Sequence, residues 1–392
     1  MVMGWMMSLL DLWDCLLSRI RDGALILTHI FCCYQIHRAG LPKTERERVE
    51  KINRATSTSR QSRNMTDIPI IDLSTLGDAN PSSQKLIAND LRQALRKSGF
   101  FIIINHGIPQ ELIDQTFLEA KRFHDQSMEA KKAVLMNEHN NGYMAMGRYK
   151  ITTSRASEDG AEPDLNEAFF IKRERKPDDP LVLEGRRFAG PNEWPKDLPG
   201  FKDNLLQYTK AMDQLAQTLL GPLAISLDMP ADTFTEAFSE SQFSFRLSHY
   251  PKVSKLTAKQ YGIAPHTDSN FLTFLAQTSI PGLQIQAQNK QWIDVPFVPQ
   301  SFVVNSGDML HRWTNGYYKS TPHRAMPPQK EARYAIPFFF GPHLDTEIEC
   351  LRSCHSTQNP PQYPPISYND YISWWYDKNY NANAQEDLAN NG

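Results

Sequence analysis

Three metal-binding side chains stand out in the pattern His266-Thr267-Asp268, with His323 following 55 residues after Asp268. Because His266 and Asp268 are two residues apart, both side chains leave the same face of an extended strand. Two imidazoles and one carboxylate form a ligand set that binds iron(II) and leaves other coordination positions open for substrates. The spacing therefore predicts an iron(II) site formed by His266, Asp268 and His323.

Arg333 begins an otherwise apolar run, RYAIPFFF at 333–340. Because a strand of this composition is buried, its guanidinium needs an anionic partner. The planar fork of arginine binds a carboxylate through two parallel hydrogen bonds. A metal centre combined with a carboxylate anchor predicts an oxygenase that uses iron and a 2-oxo acid.

Other residues of the same types are interpreted as structural. The pair His343 and Asp345 repeats the His-x-Asp pattern, but it lies in a loop-like region with only His355 beyond it. Asp308 follows a Ser-Gly pair and is predicted to form a turn. His311 is predicted on a strand that faces His323 across a hairpin. None of these is predicted to bind the metal, and His106 and His124, on elements predicted to be remote from the barrel, are assigned structural roles.

Short motifs in a fixed order extend the pattern over most of the chain. They are IPIIDL at 68–73, GFFIIINHGI at 99–108, NEAF at 166–169, and NG at 315–316 ahead of STPHR at 320–324. In these motifs, together with the metal and arginine residues, the chain resembles the iron(II)/2-oxoglutarate-dependent dioxygenases of the isopenicillin N synthase-like group. The resemblance extends from about residue 68 to residue 342.

The resemblance implies an α+β fold with a double-stranded β-helix (jelly-roll) core and flanking helices. It implies Fe(2+) at His266, Asp268 and His323, with 2-oxoglutarate and O2 as co-substrates. Arg333 would bind the distal carboxylate of 2-oxoglutarate, and Tyr250 would reach the same molecule. The implied reaction oxidises an unactivated C–H bond of a small specialised metabolite by hydroxylation, desaturation or cyclisation.

Two positions depart from the family's usual pattern. Ala335 stands where a serine usually hydrogen-bonds the co-substrate carboxylate, and Ser248 stands where asparagine is frequent. Loss of one neutral hydrogen bond weakens binding by about 0.5–1.5 kcal/mol. An iron-dependent oxidase of the same fold that uses no 2-oxoglutarate therefore stays open as an alternative, with a metal-free ligand-binding module as a more remote one.

By position in the resembling family, five residues are predicted to line the substrate site: Tyr143, Met146, Arg148, Phe169 and Arg246. Their mixture of aromatic, apolar and cationic side chains predicts a medium-sized, partly apolar small molecule, without identifying it.

Composition limits the remaining possibilities. A hydrophobic content of 40% is sufficient for a packed core, and a net charge of −2 argues against a general nucleic-acid-binding protein. The five cysteines, three of them within the first 33 residues, form no disulfide framework, which favours a reducing compartment. We therefore expect a cytoplasmic, monomeric enzyme whose core has neither nucleic-acid nor membrane partners.

Residues 1–64 differ from the rest of the chain. The longest uncharged stretch before residue 37 is 14 residues, counting His29 as neutral, shorter than the roughly 20 needed for a transmembrane helix. Residues 37–64 are basic and polar, a composition typical of disorder. We predict that 1–64 is an extension outside the fold, with Met65 as the preferred true start. A membrane-associated leader and a targeting peptide remain alternatives.

Hydrophobic periodicity divides the remainder into a mixed helix and strand region at 65–180, a jelly-roll catalytic region with a long supporting helix at 181–345, and a tail with one helix at 346–392. Helices are predicted at 83–98, from Pro109 to 123, at 201–227 and at 368–376. A loop is predicted at 140–149 and a hairpin at Asn315-Gly316. Strands are predicted at 68–73, 100–104, 165–171, 243–250, 271–276, 282–285, 292–295, 302–305 and 333–340.

Overall fold

The computed structural model describes residues 68–76, 81–147, 162–257 and 259–379. The predictions for residues 1–64 lie outside these ranges. The strands are β1 (Ile70–Asp72), β2 (Phe100–Ile104), β3 (Gly142–Met144), β4 (Glu167–Lys172), β5 (Gln242–Tyr250), β6 (Ile263–His266), β7 (Leu272–Gln277), β8 (Leu283–Gln286), β9 (Trp292–Asp294), β10 (Ser301–Ser306), β11 (His323–Ala325), β12 (Arg333–Gly341), β13 (Glu347–Ile348) and β14 (Ile366–Ser367).

The α-helices of the described residues precede, interrupt and follow the strands. They are α1 (Pro81–Lys97), α2 (Gln110–His124), α3 (Met128–Lys132), α4 (Pro180–Leu183), α5 (Phe201–Thr218), α6 (Leu220–Ser226), α7 (Asp308–Trp313) and α8 (Tyr368–Asn379).

Two sheets form the barrel. The larger has eight strands in the order β1-β2-β10-β7-β12-β5-β4-β3, and the smaller has four in the order β6-β11-β8-β9. Apolar side chains of both sheets meet in one cluster, in which Phe100 and Val303 of the larger sheet join Leu283 and Ile285 of the smaller. This arrangement is the predicted double-stranded β-helix.

Strand β4 is buried on both faces, and one face packs on the helices while the other faces the barrel interior. Phe169 belongs to the main core cluster, where its ring lies 4.6 Å from that of Phe123 on α2 and 5.5 Å from that of Phe201 on α5. Because successive side chains of a strand alternate in direction, Phe170 and Lys172 share the opposite face. The helices therefore cover the outer face of the larger sheet and leave its inner face for the cavity.

All of the predicted strands are present within two residues of their predicted ends. One helical prediction and one loop prediction need correction. The long helix at 201–227 is divided at Leu219, because Pro222 has no N–H to donate to the carbonyl of residue 218 and its ring crowds that carbonyl. The predicted loop at 140–149 contains strand β3, which pairs with β4.

The predicted hairpin at Asn315-Gly316 is wrong. Helix α7 precedes it, and both residues have positive φ, 53° and 81°. The amide of Gly316 donates to the carbonyl of His311 at 2.8 Å, and that of Asn315 donates to Arg312 at 3.0 Å. These are the two bonds of a Schellman motif, which ends a helix with the same left-handed residues that a tight hairpin uses. His311 is therefore helical and does not face His323 across a hairpin.

Within the described ranges, no helix has the combination of length and apolar character needed to cross a membrane.

A chain shortened to begin at Met65 should retain the fold. The first strand starts at Ile70 and obtains its hydrogen bonds from β2, so the barrel begins after the removed residues. We expect an unchanged midpoint of thermal unfolding, measured by calorimetry on both lengths. A lower midpoint, or loss of cooperative unfolding, would show that residues 1–64 contribute to the fold.

Candidate active site

The antiparallel pairing of β6 with β11 brings the three predicted metal ligands together. His266 and His323 are direct partners in the ladder, and their ring centroids are 4.2 Å apart. The Oδ1 atom of Asp268 lies 3.7 Å from Nε2 of His266 and 3.5 Å from Nε2 of His323. Strand β6 ends at His266, so Asp268 lies just beyond it instead of on the predicted strand, yet all three ligand atoms converge.

Hydrogen bonds fix the orientation of both imidazoles. Nδ1 of His266 lies 2.8 Å from the carbonyl of Ala264, and Nδ1 of His323 lies 3.1 Å from that of Thr321. A carbonyl only accepts, so each Nδ1 carries a proton and each Nε2 is the ring atom left to face a metal. Burial lowers the pKa of His323, but the charge of Asp268 outweighs burial and raises that pKa. Burial, with a contribution from His323, lowers the pKa of His266 to about 3, so this ring is neutral at physiological pH.

Asp268 is held through its other oxygen. Its Oδ2 accepts hydrogen bonds from the Thr273 hydroxyl at 2.6 Å and from Nδ2 of Asn305 at 2.8 Å. Burial alone would raise the pKa of Asp268, but the two imidazoles and Asn305 outweigh it and lower the pKa. Oδ1 is thus left to face the imidazoles as a single anionic donor. Two neutral nitrogens and one carboxylate oxygen fit iron(II).

Arg333 lies on the larger sheet, opposite Tyr250 in the β5–β12 ladder. It is 1% exposed, its guanidinium lies 5.0 Å from the centroid of the Tyr250 ring, and its Nε has no hydrogen-bond partner among the described residues. Burial lowers its pKa, and Tyr250 partly opposes the shift. Gly262 lets the chain pass close to Tyr250, since a Cβ there would stand 2.8 Å from the ring. The result is a preformed cationic pocket.

One cavity connects the metal ligands with Arg333 and Tyr250. Of the predicted substrate residues, Arg246 lines it. Tyr143 and Phe169 do not, because both belong to the core outside the larger sheet, and Met146 lies in an exposed turn. Arg148 lies outside the described residues. The apolar wall is formed instead by Phe170, Phe188, Pro337, Phe339, Ile372 and Trp375.

A second buried group surrounds Glu167, on the far side of β4 from the cavity. Its carboxylate lies 2.8 Å from Nδ1 of His249 and 3.4 Å from Nδ1 of His124, and it receives the hydroxyl of Tyr143. His124 therefore contacts the barrel strands, and the prediction that it is remote from the barrel is wrong. Although two imidazoles and a carboxylate could hold a metal, the Lys131 ammonium, 2.9 Å away, already balances the charge of Glu167. We interpret the group as an ion-pair network that joins α2 and α3 to the sheet.

The remaining candidate residues stay apart from the metal ligands. His343 and Asp345 form a partly exposed pair 3.8 Å apart. Asp308 opens helix α7, where it accepts a hydrogen bond from Thr267, next to the ligands but not among them. The prediction that His106 is remote from the barrel is wrong, because its ring lies 4.5 Å from that of Phe302 on β10.

Sequence reasoning did not identify Thr273, Asn305 and Lys172. Each is a buried polar residue in a strand that is otherwise mainly apolar. A buried polar residue requires a partner, so this mismatch was the available signal.

Comparison with known proteins identifies the family. Residues 68–197 match the family described as non-haem dioxygenase in morphine synthesis N-terminal, and residues 241–342 match the 2OG-Fe(II) oxygenase superfamily. The chain belongs to the 2-oxoglutarate- and iron(II)-dependent oxygenases. Among curated relatives, this oxygenase is 33% identical to the 2-oxoglutarate-Fe(II) type oxidoreductase hxnY of Emericella nidulans, over 80% of this chain and 90% of that protein. It is 34% identical to kihadalactone A synthase LFS of Citrus sinensis, over 79% of this chain and 92% of that protein.

Solved structures agree with this assignment. The oxygenase resembles a full-length Neurospora crassa protein solved in complex with alpha-KG and thymine, with a TM-score of 0.70, 28% identity, and coverage of 79% of this chain and 96% of that one. It also resembles JOX2 in complex with 2OG, Fe and JA, with a TM-score of 0.65, 29% identity, and coverage of 79% and 85%. The protein is therefore an iron(II)- and 2-oxoglutarate-dependent dioxygenase of small molecules, and the two alternative functions are not supported.

Each of the single substitutions His266→Ala, Asp268→Ala and His323→Ala should abolish iron(II) binding and turnover, because each removes one of the three proposed ligands. The measurement is anaerobic iron(II) titration, with circular dichroism to check the fold. His343→Ala and Asp345→Ala remove the same residue types outside the cavity and should leave iron binding unchanged. Normal activity in Asp268→Ala would contradict the assignment.

Thr273→Val and Asn305→Leu should each weaken iron(II) binding by about 10–100-fold, the usual effect of losing a residue that orients a metal ligand. With one donor missing, Oδ2 of Asp268 is free to turn toward the metal. Thr116→Val is the matched control, since Thr116 is a fully buried threonine bonded to the Leu112 carbonyl on a helix. Equal iron affinity in all three variants would exclude the orienting role.

Proposed function

We propose that this dioxygenase holds iron(II) with His266, Asp268 and His323, and 2-oxoglutarate with Arg333 and Tyr250. We further propose that it oxidises a C–H bond of a small, partly apolar specialised metabolite bound between Arg246 and the aromatic wall. The observation that carries the proposal is a fully buried arginine in the same cavity as a complete set of three iron ligands.

The environment of Arg333 supports a carboxylate as its ligand. Of the described residues lining the cavity, Asp268 is the only carboxylate, and its two oxygens are directed to the imidazoles and to Thr273 and Asn305. An uncompensated buried charge is costly, so the pocket gains stability when an anion enters. The distal carboxylate of 2-oxoglutarate supplies that anion while its 2-oxo acid end faces the metal ligands.

The protein positions the reactants and excludes water. When bound, iron(II) would supply the chemistry by which one O2 oxidises both reactants, so that 2-oxoglutarate loses CO2 to become succinate and the substrate C–H bond is oxidised. Arg333 and Tyr250 fix one end of the co-substrate, while the apolar side chains of Phe170, Phe339 and Trp375 in the same cavity exclude water. The hydrogen bonds to Nδ1 keep both imidazoles in the ligand tautomer throughout.

Ser248 offers a hydroxyl for the co-substrate at the position where Ala335 lacks one. The two residues are direct partners in the β5–β12 ladder, so their side chains leave the same face of the sheet, one strand apart. The Ser248 hydroxyl is buried and has no hydrogen-bond partner among the described residues, although leaving it so costs about 1–3 kcal/mol. Ser248 does not line the cavity in its present orientation. We propose that its hydroxyl turns into the cavity to support the carboxylate bound by Arg333.

We place the enzyme in the cytoplasm as a monomer that binds neither nucleic acid nor membrane, with residues 1–64 outside the fold and 65–180, 181–345 and 346–392 as its three regions. The net charge of −2 and the thiols of Cys350 and Cys354, both free, support this placement.

Arg333→Ala should raise the Kd for 2-oxoglutarate at least thirtyfold, because removing one partner of a buried charge pair costs about 2–5 kcal/mol. Ala335→Ser adds a hydroxyl at the same site and should tighten binding several-fold, whereas Ser248→Ala should weaken it several-fold. The measurement is the visible absorption of the anaerobic iron(II)–2-oxoglutarate complex. Arg186→Ala, in a surface ion pair with Asp345, is the control.

A lower Kd for 2-oxoglutarate in Ala335→Ser together with a higher Kd in Ser248→Ala would indicate an effect on co-substrate binding, because a general loss of stability would not change the Kd in opposite directions. If Arg333→Ala changes only the KM for the oxidised substrate, and the wild type turns over fully without any 2-oxo acid, Arg333 binds the substrate and not 2-oxoglutarate.

A further inference from the structure

The cavity carries more positive charge than the iron and its co-substrate require. Its described lining includes the cations Lys172, Arg246, Arg324 and Arg333 but only one carboxylate, Asp268. Arg324 is half-buried, and its guanidinium stacks 4.2 Å above the ring of Trp292. The three other cations are buried.

Binding of iron(II) and 2-oxoglutarate leaves this excess in place. The two positive charges of the metal and the one on Arg333 are balanced by Asp268 and by the two carboxylates of the co-substrate. The charge of Arg246 remains. Arg246 lies four residues along β5 from Tyr250, the ladder partner of Arg333, so its charge is separate from the Arg333 pocket. In an environment from which water is excluded, cations of this kind attract an anion strongly.

Arg246 is the residue placed to bind that anion. It is 4% exposed on the inner face of β5, and it lines the same cavity as His266, Asp268 and His323. Its guanidinium stacks over Phe170 at 5.2 Å and donates to Oδ1 of Asn166. Asn166 is itself held by a bond to the carbonyl of Gly262 at 2.6 Å. The planar fork is therefore fixed in orientation before any ligand binds.

Lys172 contributes charge and not a direct contact. Its ammonium donates to the carbonyls of His139 and Asn140, at 2.8 and 2.7 Å, and to Oδ1 of Asn141 at 3.0 Å. All three N–H groups are thus in use, and burial, with a smaller effect of Arg187, lowers the pKa of Lys172 to about 7. One directly binding cation fits one carboxylate.

The rest of this part of the cavity is apolar. Phe170, Phe339, Ile372 and Trp375 face it, and they come from β4, β12 and α8. We propose, resting on the proposed function above, that the substrate is a small monocarboxylic acid whose carboxylate binds Arg246 and whose aromatic or alicyclic body packs on these four side chains. The oxidised carbon then lies on that body, within reach of the metal.

The test compares acids with neutral molecules of the same shape. Aryl- and cycloalkyl-substituted acetic, propionic and butyric acids are each paired with their primary amides. Binding is measured by the change each causes in the visible absorption of the anaerobic iron(II)–2-oxoglutarate complex of the full chain. We expect the tightest-binding acid to bind at least tenfold better than its amide. If the iron(II)–2-oxoglutarate complex does not form before any acid or amide is added, the proposed function itself is contradicted.

Variants assign the preference to Arg246. Arg246→Gln should reduce the acid-to-amide ratio to below twofold while 2-oxoglutarate still forms its complex, and Arg246→Lys should retain an intermediate ratio. Arg186→Gln removes a surface arginine and should keep the wild-type ratio. The inference is overturned if no acid binds better than its amide in the wild type, or if Arg246→Gln retains the full preference. The wild-type comparison decides the matter even if a variant fails to fold.

Discussion

The register between β6 and β11 is the constraint on which the active site depends. His266 and His323 are far apart in the chain and meet only because they are direct partners across this ladder. Since side chains alternate along a strand, a slip of one residue would turn His323 away from His266 and toward the opposite face. The surrounding apolar cluster, with Leu283 and Ile285 of β8 on the same small sheet, makes such a slip costly. Core packing and metal binding therefore enforce the same alignment.

Charge distribution is the second organising principle. The larger sheet supplies the buried cations Arg333, Arg246 and Lys172, and the smaller sheet supplies the imidazoles. Each cation is held by neutral groups, such as the Tyr250 ring, the Asn166 amide or backbone carbonyls, instead of by a carboxylate of the cavity wall. Burial of these charges costs stability, and an anion that binds them offsets part of that cost. The proposed preference for small acids follows from this arrangement.

The sequence predicted those features that depend on local spacing. The convergence of His266, Asp268 and His323 and the burial of Arg333 were predictable because reactive residue types stand in or next to short apolar strands. The assignment of Phe169 to the cavity failed because β4 is buried on both faces, so hydrophobic alternation does not show which residues point inward. The hairpin at Asn315 failed because positive φ serves helix ends and tight turns alike. The network around Glu167 joins residues from five elements, and no local pattern in the sequence predicts these contacts.

Helix α8 has a consequence for how such enzymes diverge. Ile372 and Trp375 complete the described cavity wall, yet they lie on the last described helix, after the proposed metal ligands and the proposed co-substrate anchor Arg333. The residues that determine reactivity and some of those that determine shape thus occupy separate stretches of the chain. A substitution in helix α8, or its exchange for another helix, can change the shape of the substrate cavity while the residues proposed to bind iron and 2-oxoglutarate stay unchanged. New specificities are accessible here without rebuilding the barrel.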